Sequence, residues 1–487
     1  MIPLLYRLRK EIRVRNGADS CLIISELPLN VIRVSPRAAS ILLLCDGNRT
    51  LMEIADETGV PEEEQVFRIC EYFRKKGMLE IEPAGENCTL PVVTVIIPTK
   101  DRKSELAECL ESIFSQGYPK EKIEVIVVDD GSQDGTGDLV GMFPCKLLSN
   151  KKSRGQSYCR NLGAKEATGE ILAFIDSDCV AGKTWLRELV PYFQWDRVGA
   201  VGGFVDGYFR KSTLDRYEMA CSPLNMGNHI LIGTNDDSTF YTPTCNLLIR
   251  RKAYIETGGI TESLHVGEDV DFCWRIRRKG YDMFYLPFGA IRHKHRNHLG
   301  RMMKRRADYG TSEALLYTLH KEKKKVVQLP TLAAVSFLAL CLSILFLSPA
   351  FLFPAAICPL FEAGMKIRRI HKLNIHISPW KVALSILRSY FSFFYFISFH
   401  AVRYYMSLFL AAGIYFHPLW YICTFMLIFT SSIDYSVKSP YLTYPLFLTY
   451  YAIEHISYQV GVFAGCIQQN AFGSYRPRFI GRALKTR

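Results

Sequence analysis

The stretch that most constrains this chain runs from Glu170 to Val180. An apolar run, Ile171 to Ile175, has the length and composition of a buried strand, and it ends in two carboxylates one residue apart, Asp176 and Asp178. Side chains at i and i+2 of an extended segment point the same way. Both carboxylates therefore face one point at the carboxyl end of a strand, which is where open α/β sheets bind ligands. Such a pair suits a hard divalent cation shared with a diphosphate. It equally suits a solvated turn, so the neighbouring segments decide.

Val92 to Thr99 is a second β-rich run, with Pro98 near its end. Ser104 to Phe114 has helical spacing, and Glu124 to Val128 is a third strand, running into Asp129-Asp130-Gly131-Ser132. Strand, helix, strand predicts a parallel sheet with crossover helices. The turn after the third strand reads either as a tight Asx-type turn or as a pocket where a carboxylate accepts from a base or ribose. Arg154-Gly155-Gln156 and Arg160-Asn161-Leu162-Gly163 precede the Ile171 strand. Glycine permits close backbone approach there, and arginine suits a diphosphate. Thr244 to Arg250 is a further strand. Gly267-Glu268-Asp269-Val270-Asp271 opens a helix with Phe272, Cys273 and Ile276 at helical spacing. Acidic residues at a helix start complement its dipole, and a positioned one can also act as a base.

Five segments now stand in order: Val-x-Val-Ile-Ile-Pro-Thr, Val-Val-Asp-Asp-Gly-Ser-x-Asp-Gly-Thr, Arg-Asn-x-Gly, Asp-x-Asp and Gly-Glu-Asp-Val-Asp-x-x-x-Arg. Together, over residues 91–300, they resemble the family 2 glycosyltransferases, whose α/β fold is the GT-A (nucleotide-diphospho-sugar transferase) type. The resemblance implies that Thr99, Asp101 and Asp130 contact the nucleotide of a UDP-sugar donor, with Arg154 and Asn161 nearby. It implies that Asp178, with Asp176, holds Mn²⁺ or Mg²⁺ and the diphosphate, and that Asp269, with Glu268 beside it, is the general base of an inverting single displacement. His293 follows a predicted strand, Met283 to Leu286; it reads as a metal or phosphate contact or as a solvated residue of the basic loop Arg292 to Arg301. Two features depart from the family pattern. Asp101 stands where many members carry asparagine, and Gln-x-x-Arg-Trp is absent, which argues against long extruded polymers.

Residues 1–85 read as a small separate module. Short strand-like runs at Ile12–Val14, Cys21–Ser25 and Val31–Ser35 lead into a helix capped by Ser35 with Pro36 in its first turn. Thr50 and Glu53 form a capping-box pattern for a second helix, Glu62 to Lys76 gives a third, and Gly77 to Ile81 a closing strand. This is a winged-helix-like pattern, yet Glu62, Glu63, Glu64 and Glu71 disfavour a phosphate backbone, so no nucleic-acid partner is expected. Ser-Pro-Arg-Ala-Ala, Asp-Gly and Leu-x-Glu-Ile-Ala-x-x-x-Gly-Val resemble the PqqD-like peptide-recognition domains. Such a domain would bind a precursor peptide as an added strand; the alternative is a packing domain with no ligand.

The 487 residues carry a net charge of +13, which suits an anionic membrane surface and a nucleotide-type substrate. Fifteen cysteines are scattered without paired spacing, as in a reducing compartment. The amino terminus lacks the features of a secretory signal. Residues 301–325 read as a basic juxtamembrane segment, and 326–487 as a hydrophobic helical, membrane-associated region. Residues 326 to 361 are uncharged and interrupted by Pro330, Pro349, Pro354 and Pro359, and a second basic run spans Lys366 to Lys372. Basic clusters on both flanks predict a pair of short or re-entrant membrane helices with the catalytic domain on the cytoplasmic side. The alternative is a large buried helical domain. The whole architecture resembles the glycosyltransferases of mycofactocin biosynthesis, which implies transfer of a hexose, glucose from UDP-glucose, to a peptide-derived redox cofactor. A lipid or cell-envelope acceptor, or a non-enzymatic peptide-binding adaptor at the membrane, are the competing readings.

Overall fold

The computed structural model describes residues 5–17, 19–26, 28–82, 90–234, 239–323 and 325–481. Its centre is an eight-stranded mixed sheet. From one edge to the other the strands are Leu231–Gly233, Asp282–Tyr285, Val198–Gly202, Asn246–Arg250, Ile171–Ile175, Val93–Thr99, Ile123–Asp129 and Lys146–Ser149. The last four run parallel to one another, as the strand–helix–strand pattern predicts. Asn246–Arg250 runs antiparallel to both its neighbours. This is the α/β architecture that the motifs imply.

Side-chain alternation divides the sheet's two faces. Val93, Val95 and Ile97 pack with Leu106, Cys109 and Leu110 of the helix Lys103–Phe114. Ile96, Ile126 and Val128 pack on the other side with Cys159 of the helix Gln156–Glu166 and with Phe272 and Cys273 of the helix Glu268–Arg278. Gly163 lets the first of these helices lie flat on the sheet, since a Cβ there would stand 2.6 Å from Ile96. A small second sheet, Cys179–Ala181, Ile291–His293 and Val205–Gly207, pairs Cys179 with His293 and so carries His293 to Asp178.

The amino-terminal elements follow the local signals closely. Strands Arg13–Arg15, Cys21–Glu26 and Leu29–Val34 form an antiparallel sheet. Ser35 caps the helix Pro36–Leu44, and Thr50 and Glu53 form the full capping box of Leu51–Thr58. The strand Leu79–Glu82 pairs with Leu5–Leu8, a strand that no local signal announces. The helix Glu63–Lys75 docks on the catalytic region: Phe67 meets Trp195 edge to face with centroids 5.0 Å apart, and Arg197 pairs with Glu64 at 3.0 Å. The outer sheet face, Ile24 and Leu29, packs against Ile370, Ile375 and Val382. Arg13 and Arg15 donate to the carbonyls of His376, Leu373 and Asn374 in the same connection.

The carboxyl-terminal region is mostly helical, with Thr331–Leu345, Leu352–Lys372, Pro379–Ala412, Pro418–Lys438 and Tyr444–Gln468, and the strands Val326–Leu329 and Arg478–Gly481 pair in parallel at its two ends. The uncharged run does break into two helices, with Leu347 in a left-handed conformation (φ 48°) between them. Pro349–Lys372 and Pro379–Ala412 are long and apolar enough to cross a membrane, and most of their apolar stretch is uncovered by the rest of the chain. The segment read as a basic stretch, 301–325, is mostly the helix Leu299–Leu319, which packs closely on Tyr444–Gln468. Glycines make that closeness possible. A Cβ at Gly461 would fall 1.9 Å from the Ala307 carbonyl oxygen, and one at Gly465 2.3 Å from that of Thr311.

Candidate active site

A cavity of about 480 Å³ opens at the carboxyl ends of the parallel strands. Thr99, Asp130, Asp176, Asp178, Glu268, Asp269 and His293 all line it. Asp101, Arg154 and Asn161 do not.

Each outlier has another occupation. Asp101 adopts a left-handed conformation (φ 49°), which aspartate and asparagine tolerate better than most residues. Its carboxylate accepts from the Gln133 N–H at 2.8 Å, and its own N–H donates to Ser132 Oγ at 2.8 Å, so it holds the acidic turn in place. The Arg154 guanidinium lies 3.5 Å over the Tyr158 ring. Asn161 donates to the Ile260 carbonyl (2.8 Å) and accepts from the Ile260 N–H (2.9 Å), fastening a distant turn. Asp130 lines the cavity but is heavily engaged. It accepts from Asn150 Nδ2, Ser153 Oγ and the N–H groups of Arg154 and Gly155, at 2.6 to 2.9 Å. Burial pushes this carboxyl up; the four donors overcome it and hold it at about 2. The neighbouring Asp129 accepts from the Ser132 N–H at 3.0 Å, so the segment is an Asx-type turn as well as a cavity wall.

The residue of this helix that enters the site is Arg160. It is almost fully buried and joins two acidic groups, donating to Asp176 at 2.6 Å and to Glu268 at 3.2 Å. Burial opposes its charge, but those carboxylates keep it protonated. Gln156, one turn earlier on the same face, donates to Glu268 at 2.6 Å. Four-residue spacing on a helix places the two side by side, whereas Asn161 turns about 100° away from Arg160. That phase is readable in the sequence once the helix is known.

Asp178 is buried. Burial pushes its carboxyl up, but His293, Arg102 and Arg296 hold it below the usual range. Arg102 pairs with it directly, and Arg296 lies 3.8 Å away. Its Oδ1 is 3.7 Å from His293 Nε2. A divalent cation bound by both at about 2.0–2.2 Å suits that separation. Cys179 Sγ is close by, but burial pushes its thiol far up, so it stays protonated and is no ligand for a hard cation. Asp176 pairs with Arg160 and Asp178 with Arg102, so a cation at Asp178 and His293 would compete with Arg102 for that carboxylate.

Asp269, in the first turn of Glu268–Arg278, is partly exposed to the cavity, which itself lies deep in the protein. Burial and the charge of Glu268 push its carboxyl up to about 7, against the pull of the Val270 N–H, Arg160 and Arg305. A carboxylate poised near neutrality is suited to accept a proton.

The opposite wall comes from helices far along the chain: Arg305, Arg306, Tyr309, Glu313, Arg403 and Tyr458. None of these follows from the strand-end motifs. Arg306 pairs with Glu218 at 2.8 Å and lies 3.5 Å from Glu454, which also accepts from Tyr217 at 2.8 Å. Burial pushes Glu218 up to about 7 even though Arg306 pulls the other way. Glu313 accepts from Tyr404 (3.1 Å) and Tyr458 (2.8 Å) and pairs with Lys325.

Comparison with known proteins fits this geometry. The sequence profile of Glycosyl transferase family 2 matches residues 94–258. A pre-mycofactocin glycosyltransferase of Mycobacterium tuberculosis is 30% identical over 325 residues, 65% of this chain; the match spans 64% of that relative's length. Glycosyltransferase AglE of Haloferax volcanii is 32% identical over 220 residues, covering 42% of this chain and 70% of that one. Among solved structures, a mannosyltransferase from Pyrobaculum calidifontis in complex with GDP-Man and Mn²⁺ aligns with a TM-score of 0.39 at 20% identity, over 72% of this chain and 96% of that one. With the profile covering the strands that end in Asp130, Asp176 and Asp178, the chain belongs to glycosyl transferase family 2.

Proposed function

We propose that the chain is an inverting hexosyltransferase that moves glucose from UDP-glucose to a peptide-derived acceptor of the mycofactocin type. The observation that carries the chemistry is the Asp269 carboxylate, pushed up to about 7 beside Glu268 in a cavity that also holds Asp176 and Asp178. Asp269 takes the proton of the acceptor hydroxyl as it attacks the anomeric carbon. Arg160 and Gln156 fix Glu268, and through it the first turn that carries the base. A divalent cation at Asp178 and His293 would neutralise charge on the leaving diphosphate. Thr99 Oγ1, buried and without a protein partner, is available to the nucleotide. The amino-terminal module serves peptide recognition, and the two long apolar helices hold the enzyme at the membrane with the cavity on the cytoplasmic side.

The test is mass spectrometry of products from the full chain in detergent, with UDP-glucose, Mn²⁺ and a mycofactocin-type acceptor. Hexose added to the acceptor supports the reading. Hexose appearing only on co-purified lipid would favour a lipid acceptor, which the largely uncovered apolar helix Pro379–Ala412, whose Arg403 lines the cavity, makes the second reading. Asp269→Asn should keep UDP-glucose affinity and lose about 10²- to 10⁴-fold in turnover. Wild-type turnover in that variant would remove Asp269 from its role. In the wild type, turnover should rise as pH passes upward through about 7, where Asp269 loses its proton.

A further inference from the structure

The helical wall presents three guanidinium groups to the cavity, and they are not equivalent. Arg306 is paired with Glu218 at 2.8 Å. Arg403 lies 3.5 Å from Glu454 and stacks 3.5 Å over the Tyr458 ring. Among the described residues, Arg305 has no carboxylate within salt-bridge distance; its guanidinium lies 4.6 Å over the ring of Tyr309, one turn away on the same helix. A cation set in a cavity wall, backed by an aromatic face and with no carboxylate in direct contact among the described residues, is suited to receive an oxyanion.

Its neighbours tell which end of the cavity it serves. Ser312, two turns beyond Arg305 on the same helix, packs against Gly267, since a Cβ at Gly267 would stand 3.1 Å from Ser312 Oγ; the helix of Arg305 thus runs past the turn that carries Glu268 and Asp269, and all of them line the cavity. The guanidinium groups beside Asp178 are Arg102, paired with it, and Arg296, 3.8 Å away. The Asp178 end therefore already has two guanidinium groups for a diphosphate, and Arg305 stands toward the base. In an inverting displacement the acceptor approaches on the base side, opposite the leaving group.

We propose that Arg305, supported by Tyr309, binds an oxyanion of the acceptor and so orients the attacking hydroxyl toward Asp269. The acceptor class is then a hydroxyl compound that also carries a carboxylate or phosphate. This rests on the transferase reading above, and the test separates the two.

Two hydroxylated probes that differ only in charge, 4-hydroxyphenylacetate and 4-hydroxyphenylacetamide, are titrated by calorimetry into the full chain loaded with UDP. The wild type should bind the carboxylate about tenfold or more tightly than the amide, as a charge-assisted hydrogen bond predicts. Arg305→Gln should abolish that preference while keeping UDP affinity within about twofold of wild type. Arg305→Lys should restore part of it, which a merely structural role would not. Equal binding of the two probes by the wild type overturns the proposal. So does a loss of UDP affinity in Arg305→Gln with the probe preference kept, which would give the guanidinium to the diphosphate. Failure of the wild type to bind UDP at all would instead strike the transferase reading itself.

Discussion

The two walls of the cavity hold their charges in different ways. On the strand-end wall Asp130 and Asp176 find partners close in sequence: Asp130 is satisfied from 20 to 25 positions away, and Arg160 reaches Asp176 across 16, although it reaches Glu268 across 108. On the helical wall the same kinds of bond join groups 51 to 237 positions apart, from Arg403–Glu454 to Tyr217–Glu454. The first wall is made by short loops that a few residues specify. The second exists only once helices from both ends of the catalytic region and the apolar tail have packed. The charge of Asp130 depends on its own turn, whereas a charge on the second wall depends on the packing of distant helices.

That contrast can be broken by experiment. Arg306→Met leaves Glu218 and Glu454 short of their shared partner in a buried site. It should cost about 3–5 kcal/mol in denaturant unfolding of the detergent-solubilised chain. Asp130→Asn should cost about 2 kcal/mol near neutral pH. The folded carboxyl sits at about 2, below its ordinary value near 3.8, so this stabilisation is present above 3.8 and lost as pH falls toward 2. The gap in melting temperature between wild type and Asp130→Asn should therefore close on acidification. Equal costs for the two substitutions would erase the distinction between the walls. Thr50→Ala, in neither wall, removes one half of a capping box and should cost about 1 kcal/mol, with UDP affinity unchanged. A change in UDP affinity there would mean that the amino-terminal module is coupled to the site.

The same contrast explains what could be read from the residues alone. The capping box at Thr50 and Glu53, the cap at Ser35 and the parallel strands are local or periodic, and the chain folds them as their patterns require. Asp130, Asp176, Asp178 and Asp269 reach the cavity because each sits where a strand ends or a helix begins. The strand Leu5–Leu8 escapes notice because its partner lies on the far side of the module. Asn161 and Arg154 look like binding residues in a glycine-rich motif, but helical phase sends Arg160 inward instead. Arg305 and Arg306 look like part of a basic surface run. Only the packing of Leu299–Leu319 against Tyr444–Gln468 turns them toward the cavity.

That packing also ties the cavity to the far end of the chain. Gly461 and Gly465 let a helix synthesised late lie backbone to backbone on Leu299–Leu319, and it brings Tyr458 to the cavity and Glu454 to Arg306. Without that late helix the cavity keeps Asp130, Asp178 and His293 on its strand-end wall and loses Tyr458 from the opposite one. A chain that stopped before Tyr444 would also leave Arg306 without Glu454, so the wall built last is the one whose charges have the fewest local substitutes.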